Sequence, residues 1–209
     1  MDQQVKDAAN TAYAETRARL EAFRERITDL RKQMRALQAK VEPQPVADYV
    51  FDGWSGPVKL SELFGGKRDL FVIHNMGTRC VYCTMWADGF NGVYDHLADR
   101  AAFVLATPNT PEAQKQFAAS RGWRFPMVSH ANNSFTQDMG FWRPGEDAEA
   151  DSMGSWFPGV SVFQKRDDGS IVRVSDAELG PLDDFCSVWH FLDLLPEGAA
   201  GWGPKYKYG

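Results

Sequence analysis

Two cysteines, Cys80 and Cys83, follow closely after an apolar run over residues 70–74, and this arrangement constrains the fold more than any other feature. The run predicts a buried β-strand, and a C-x-x-C pair after a strand predicts that the cysteines open a helix. Free backbone N–H groups and the helix dipole stabilise a thiolate there, so Cys80 is the expected nucleophile. Arg79 adds a positive charge, and Cys83, one turn later, is placed to form or resolve a disulfide.

A C-x-x-C pair has a second common use, as half of a zinc site. Cys186 and His190 lie one helical turn apart near the C-terminus and would complete a set of three cysteines and one histidine. That site requires the last helix to be drawn onto the face of Cys80 and Cys83. Otherwise Cys186 is a small buried apolar residue. We predict no metal and no organic cofactor, because the dithiol itself carries two electrons.

The composition excludes several classes of protein. A chain of 209 residues that is 44% hydrophobic and 24% charged is long enough for one well-filled domain and an appendage. The net charge of −5 argues against nucleic acid or an anionic membrane as a partner. The N-terminus does not resemble a signal peptide, and no apolar run reaches about 18 residues, so the expected location is cytoplasmic. In that compartment a C-x-x-C is more often catalytic or metal-binding than structural.

Pro43 and Pro45 predict a boundary between an N-terminal helical arm, residues 1–42, and a globular domain, residues 43–209. Apolar residues of the arm recur at alternating steps of three and four, which predicts a packing seam: Leu20, Phe23, Ile27, Leu30, Met34, Leu37 and Val41. A symmetric parallel pair of arms would set arginine against arginine beside this seam. We expect the seam to be covered by protein. The cover is either a globular domain, of the same or a neighbouring chain, which is more acidic than the arm, or the arm of a second copy in a homodimer.

From residue 46 onward, strand-like and helix-like segments alternate, which predicts an α/β sheet. The predicted elements are a strand over 70–74, a helix over 84–97, a strand over 102–107, a helix over 110–121, a hairpin of 159–165 with 170–174, and a helix over 182–195. The acidic segment 142–151 is either a lid beside the cysteines or a solvated loop.

The order of these elements, with the C-x-x-C after a core strand and Pro158 opening a late hairpin, resembles the thioredoxin fold. More narrowly, several segments resemble the bacterial domain-of-unknown-function family 899, whose members are often labelled dithiol-disulfide oxidoreductases: Tyr49-Val50-Phe51-Asp52-Gly53, Cys80-x-x-Cys83-x-x-Trp86-Ala87-Asp88, Pro158-Gly159-Val160-Ser161-Val162-Phe163 and His190-Phe191-Leu192-Asp193-Leu194. The resemblance implies a thioredoxin-like fold, a mixed central sheet flanked by helices. It also implies a cis peptide before Pro158 and a substrate groove beside the cysteines, lined by Pro158, Phe157, Arg79, Tyr82 and Trp86. Trp86 either shields the disulfide in this groove or fills the core, and we favour the core.

His74 stands six residues before Cys80, where thioredoxins bury an acid that helps to deprotonate the second thiol. We expect His74 to serve as that base, with a histidine satisfied by a backbone carbonyl in the core as the alternative. Gly77 and Ile73 stand where peroxiredoxins carry a threonine or serine and a proline, so the peroxidase motif is absent.

The sequence therefore predicts a thiol-disulfide oxidoreductase in which Cys80 attacks and Cys83 resolves. Its substrate is a protein or small-molecule disulfide, and the sequence does not specify the reductant. Two alternatives stay open: a thiol peroxidase with an atypical motif, and a metal- or partner-binding module without enzymatic activity on the same scaffold.

Overall fold

The computed structural model describes residues 3–144, 156–181 and 183–209. By its internal contacts the chain divides into two units, Met1–Glu42 and Pro43–Gly209. The acidic segment predicted to be a lid or loop lies outside the described residues from position 145 onward. Among the described residues, no helix has the length and apolar character needed to cross a membrane.

The N-terminal unit is one long helix, α1 (Gln3–Gln38), within the arm predicted over residues 1–42. Ion pairs between residues three positions apart on its exposed surface stabilise the helix, such as Arg24 with Glu21 and Lys32 with Asp29. No described residue of the helix is buried, and the seam residues are exposed within this unit. What covers the seam therefore stays a prediction.

The globular unit is built on a single sheet of eight strands. The strands are β1 (Gln44–Pro45), β2 (Val50–Gly53), β3 (Gly56–Lys59), β4 (Asp69–His74), β5 (Ala102–Thr107), β6 (Met127–Ser129), β7 (Gly159–Lys165) and β8 (Ile171–Glu178). Their order across the sheet is β1-β8-β7-β4-β5-β6-β2-β3. The central strands β4, β5 and β6 are parallel, whereas β7 runs antiparallel to β4 and β8 antiparallel to β7.

The four helices of this unit are α2 (Val81–Arg100), α3 (Pro111–Arg121), α4 (Phe135–Asp138) and α5 (Ser187–Leu192). The connection β4–α2–β5 joins two parallel strands, and the hairpin β7–β8 continues the sheet on the other side of β4. This is the arrangement of a thioredoxin-like fold, as predicted.

The sheet separates two apolar cores, because side chains of a strand alternate between its faces. Phe71 and Ile73 of β4 pack in the core that receives α2, α3 and α5, which we call the cysteine face. Leu70 and Val72 of the same strand pack in the core that receives α4, which we call the far face. A shift of one residue along β4 therefore moves a side chain from one core to the other.

Helix α3 begins and ends with the capping residues that the sequence predicted. Thr110 caps it by accepting a hydrogen bond from the N–H of Ala113, Pro111 occupies the first turn, and Gly122 ends it in the left-handed conformation at φ 68°. The predicted C-terminal helix over 182–195 is wrong in extent, because α5 spans only Ser187–Leu192. The carboxylate of Asp183 accepts hydrogen bonds from the N–H groups of Phe185 and Cys186, which makes a turn where the helix was expected to begin.

Candidate active site

Cys80 is the N-cap residue of α2, and its sulfur replaces the usual hydroxyl or carboxylate of a capping side chain. Its backbone is extended, at φ −91° and ψ 105°, and its Sγ accepts a hydrogen bond from the backbone N–H of Cys83 at 3.1 Å. The carbonyl of Cys80 accepts from both the N–H and the hydroxyl of Thr84, at 3.0 and 2.9 Å. The helix start is therefore built around the first cysteine, and the cysteines of the chain are all free thiols.

The two cysteines have opposite electrostatic environments. The pKa of Cys80 is lowered, first by a hydrogen bond from the Cys83 thiol and further by the backbone N–H groups of Cys83 and Tyr82, against the opposing effect of burial. The pKa of Cys83 is raised, because its thiol donates to Cys80, it is buried, and it lies beside the negative charge of Cys80. Of the two thiols, Cys80 therefore loses its proton more readily and Cys83 retains it, as a nucleophile and a resolving thiol require.

The loop between β4 and Cys80 is held by two asparagines that sequence reasoning missed. Asn75 accepts a hydrogen bond from the N–H of Gly77 at 2.8 Å and donates to the carbonyl of Cys83 at 3.4 Å. Asn109 accepts from the N–H of Thr78 at 2.9 Å. Gly77 has φ +97°, and a Cβ added there would lie 2.6 Å from Oδ1 of Asn109. The Asn-x-Gly spelling after a strand was the signal that could have revealed this turn.

Aromatic side chains surround the dithiol on the cysteine face. Tyr82 lies between Trp86 and Trp189, with ring centroids 6.3 Å from each. Trp86 is buried in the same core as Cys80 and Cys83, so it packs beneath the site rather than lining an open groove. Arg79, by contrast, is exposed at the edge of the site.

His74 lies on the far face of the sheet, away from the cysteines. Its Nε2 lies 2.9 Å from the hydroxyl of Ser161, and its ring stacks on Phe141 with centroids 4.1 Å apart. Burial is the main reason that its pKa falls well below 6.5, so the imidazole is neutral. The expected proton transfer between His74 and Cys83 therefore has no geometric support. The adjacent Ile73 is the β4 residue that packs with the cysteines.

The expected cis peptide before Pro158 is wrong, because no cis bond occurs among the described residues. The N–H of Phe157 donates to the carbonyl of Phe141, and the carbonyl of Pro158 accepts from the N–H of Leu179. The chain thus enters β7 already extended and paired, and this geometry suits the trans form that is ordinarily favoured.

Phe157 packs on the far face, under the guanidinium of Arg143, rather than in a groove beside the cysteines. Alternation along β7 places Pro158 on the cysteine face with Val160.

Cys186 shares the apolar core of Cys80 and Cys83, whereas His190 is exposed and lies 3.7 Å from a carboxylate oxygen of Asp184. Burial raises the pKa of the Cys186 thiol. Within the described parts of the chain, no group of three or more His, Cys, Asp or Glu side chains is arranged to hold a metal ion. The structure therefore does not assemble the four residues that would have formed a zinc site.

Solved structures of similar fold include several peroxiredoxins at low sequence identity. Peroxiredoxin Q of Xanthomonas campestris has a TM-score of 0.54 at 14% identity, over 68% of this chain and 87% of its own. The 1-Cys peroxiredoxin antioxidant protein of Plasmodium falciparum has a TM-score of 0.54 at 16% identity, over 66% and 83%. Peroxidoxin BcpB of Mycobacterium tuberculosis has a TM-score of 0.51 at 20% identity, over 65% and 84%. These similarities establish the thioredoxin-like fold.

A comparison with curated proteins finds no match. The model of one family, described as bacterial protein of unknown function (DUF899), matches residues 3–207, which is nearly the whole chain. This match agrees with the resemblance found in the sequence motifs. The chain belongs to the DUF899 family.

Proposed function

We propose that this protein is a thiol-disulfide oxidoreductase that uses Cys80 as its nucleophile and Cys83 as its resolving thiol. The observation that carries the proposal is the asymmetric pair at the start of α2. Cys80 accepts hydrogen bonds from the backbone and from the Cys83 thiol, which favours its thiolate, while Cys83 keeps its proton. The thioredoxin-like fold of the chain is consistent with this chemistry.

The reaction begins when the Cys80 thiolate attacks one sulfur of a substrate disulfide. A Cys80–substrate disulfide forms, the substrate S–S bond breaks, and the other substrate sulfur leaves as a thiolate. Removal of the negative charge from Cys80 lifts one of the effects that hold the proton on Cys83. Cys83 then loses its proton and attacks Cys80, which forms the 80–83 disulfide and releases the second substrate thiolate. The substrate gains two electrons and the protein loses two, and an external thiol then returns the protein to its dithiol form.

A thiol peroxidase is the second candidate, and the peroxiredoxin structures of similar fold favour it. In that reaction the Cys80 thiolate attacks a peroxide oxygen, which breaks the O–O bond, forms a sulfenic acid and releases an alcohol or water. The thiol of Cys83 then displaces water from the sulfenic acid and forms the same 80–83 disulfide. Gly77 and Ile73, at the positions of the peroxidase motif, weigh against this candidate.

The two reactions differ in the first covalent product at Cys80, so single-turnover mass spectrometry separates them. The Cys83→Ser variant, once reduced, is mixed with bis(2-hydroxyethyl) disulfide or with hydrogen peroxide. We expect the disulfide to leave a mercaptoethanol adduct on Cys80 that persists in the variant and is resolved in the wild type. Peroxide should give sulfenic acid at Cys80 only slowly.

Cys186→Ser is the matched control, because it removes a third thiol of the same apolar core without touching the proposed pair. It should form the 80–83 disulfide as the wild type does, and Cys80→Ser should form neither product. Faster reaction with peroxide than with the disulfide would reverse the ranking of the two candidates. If Cys80 reacts with neither reagent, the enzymatic proposal fails and a binding role on this scaffold remains.

A further inference from the structure

The C-terminal residues cross the start of helix α2, where a substrate must approach the dithiol. Trp202 packs edge-on against Trp189, with ring centroids 6.1 Å apart. Gly203 lies beside Tyr82, since an added Cβ would be in ordinary contact with the phenol oxygen at 3.4 Å, and Pro204 is buried. We call the segment from Trp202 to Tyr206 the strap.

Tyr206 fastens the end of the strap. Its hydroxyl donates a hydrogen bond of 3.1 Å to the carbonyl of Thr78, in the loop that leads to Cys80. Its own carbonyl accepts from Nη1 of Arg121 at 2.8 Å, and its ring meets the edge of Phe117. Arg121 also pairs with Asp88 on α2, so one guanidinium links the strap to the helix that carries the cysteines.

The strap lies beside the dithiol, because Tyr206 bonds to the carbonyl of Thr78, two residues before Cys80. The pKa of Tyr206 is raised, first by its burial and then by the electrostatic influence of the Cys80 and Cys83 thiols. Cys80 and Cys83 keep only 4% and 2% of their surface exposed, although a nucleophile at a helix N-terminus would otherwise face outward. Attack on a disulfide requires a sulfur of the substrate to reach the Cys80 thiolate directly. A folded protein cannot bring its disulfide that close while the site is covered.

The strap has room to move, because its other side borders a groove rather than packed protein. This groove has a volume of about 660 Å³ and is lined by Met85 of α2, Phe185 of the turn before α5, Val188 of α5, and Trp202 and Lys205 of the strap. Tyr206 itself keeps 39% of its surface exposed. When the bond to Thr78 opens, the hydrogen bond from Arg121 and the edge contact with Phe117 still hold Tyr206 in the described structure, so release of the strap also requires their loss.

We propose that the strap determines the substrates of the dithiol, admitting small disulfides while excluding disulfides of folded proteins until Tyr206 releases Thr78. This inference rests on the proposed function and adds a class of substrate to it. Tyr206 acts here as a specificity residue that controls access to Cys80, and it takes no part in bond making.

Alkylation of the reduced, full-length protein measures access to Cys80 without any disulfide chemistry. Two probes are compared, iodoacetamide and a maleimide carried on a long polyethylene glycol chain, with modification at each cysteine followed by peptide mass spectrometry. Tyr206→Phe, which loses one hydrogen bond, should raise the rate of the large probe at Cys80 by about two- to tenfold. Tyr206→Ser, which also loses the ring contacts, should raise it by about tenfold or more. Iodoacetamide should gain much less in both variants.

Tyr49→Phe and Tyr49→Ser are the matched controls, because Tyr49 likewise donates a hydroxyl hydrogen bond, to Asp138, and packs edge-on against Phe135, but on the far face. They should leave both rates at Cys80 unchanged. The proposal is overturned if the Tyr206 variants keep the wild-type rates. It is also overturned if Cys186 gains reactivity to the same extent, because the whole fold has then loosened rather than the strap.

A second comparison tests the substrate class itself, using bis(2-hydroxyethyl) disulfide and a protein disulfide such as insulin. Tyr206→Ser should increase reduction of insulin far more than reduction of the small disulfide, and equal increases would refute the size selection. If alkylation opens as expected but neither disulfide is reduced, the proposed function fails while the strap stands. If both disulfides are reduced equally well by the wild type, the function stands and the strap proposal fails.

Discussion

The imidazole of His74 and the hydroxyl of Ser161 are hydrogen-bonded, with Nε2 2.9 Å from Oγ, in the apolar core of the far face. The other ring nitrogen of His74 is buried without a partner among the described residues, as is Nδ1 of His130. Burial lowers the pKa of His74 well below 6.5 and that of His130 to about 4. Two neutral histidines are thus held where a positive charge would be costly.

This burial predicts that the fold loses stability in mild acid. The unfolded chain protonates its histidines near pH 6.5, whereas the folded protein does not, so below that pH the unfolded state binds more protons. The contribution is fully present above about pH 6.5 and falls as the pH drops toward 4, by about 1.4 kcal/mol per pH unit for each buried histidine. Urea unfolding at pH 7 and pH 5 measures the loss above the range in which carboxylates titrate.

Variants of single histidines separate the buried groups from the rest. His130→Gln should reduce the difference in unfolding free energy between the two pH values, whatever its cost at pH 7. His96→Gln, at an exposed position of α2, should leave the difference as in the wild type. Equal stability of the wild type at pH 7 and pH 5 would contradict the prediction.

The turn before Cys80 predicts a glycine-specific requirement at position 77. Gly77→Ala must hold φ +97° and place a Cβ 2.6 Å from the Asn109 side chain, so we expect a loss of about 1–3 kcal/mol in unfolding free energy. Gly92→Ala, at an exposed helical position with open space around it, should instead gain about 0.5–1 kcal/mol. Chemical denaturation measures both, and losses of similar size in the two variants would refute the role of the turn.

The hydrogen bonds at Cys80 predict the pH dependence of its alkylation. The midpoint of the rate profile with iodoacetamide should lie below that of Cys186, since hydrogen bonds lower the pKa of Cys80 and burial raises the pKa of Cys186. Cys83→Ala removes the strongest hydrogen bond to Cys80 and should move the midpoint upward. Cys83→Ser keeps a hydroxyl donor and should move it less. A Cys80 midpoint that neither substitution changes would show that Cys83 does not stabilise the thiolate.

Elements fixed by local chemistry could be predicted from the sequence, whereas relationships between distant segments could not. Strand β5 and the capped helix α3 follow from an apolar run and from the Thr110-Pro111 start. A shift of one residue along β4 decides on which face of the sheet His74 lies. The number of residues between His74 and Cys80 does not decide it, because a loop lies between them. The hydrogen bond of Tyr206 with Thr78 joins positions 128 apart in the sequence, and no periodicity or motif in the strap predicts it.

The exposed seam of helix α1 predicts self-association of the full-length chain. Leu30, near the middle of the seam, has 56% of its surface exposed, and a row of such residues facing water favours burial against protein. If a second copy covers the seam, the wild type should sediment as a dimer, and Leu30→Glu should return the mass toward the 23.5 kDa of one chain. Thr28→Glu adds the same charge away from the seam and should leave the dimer intact. Sedimentation of the wild type as a monomer, with no change in Leu30→Glu, would show that no second copy covers this face.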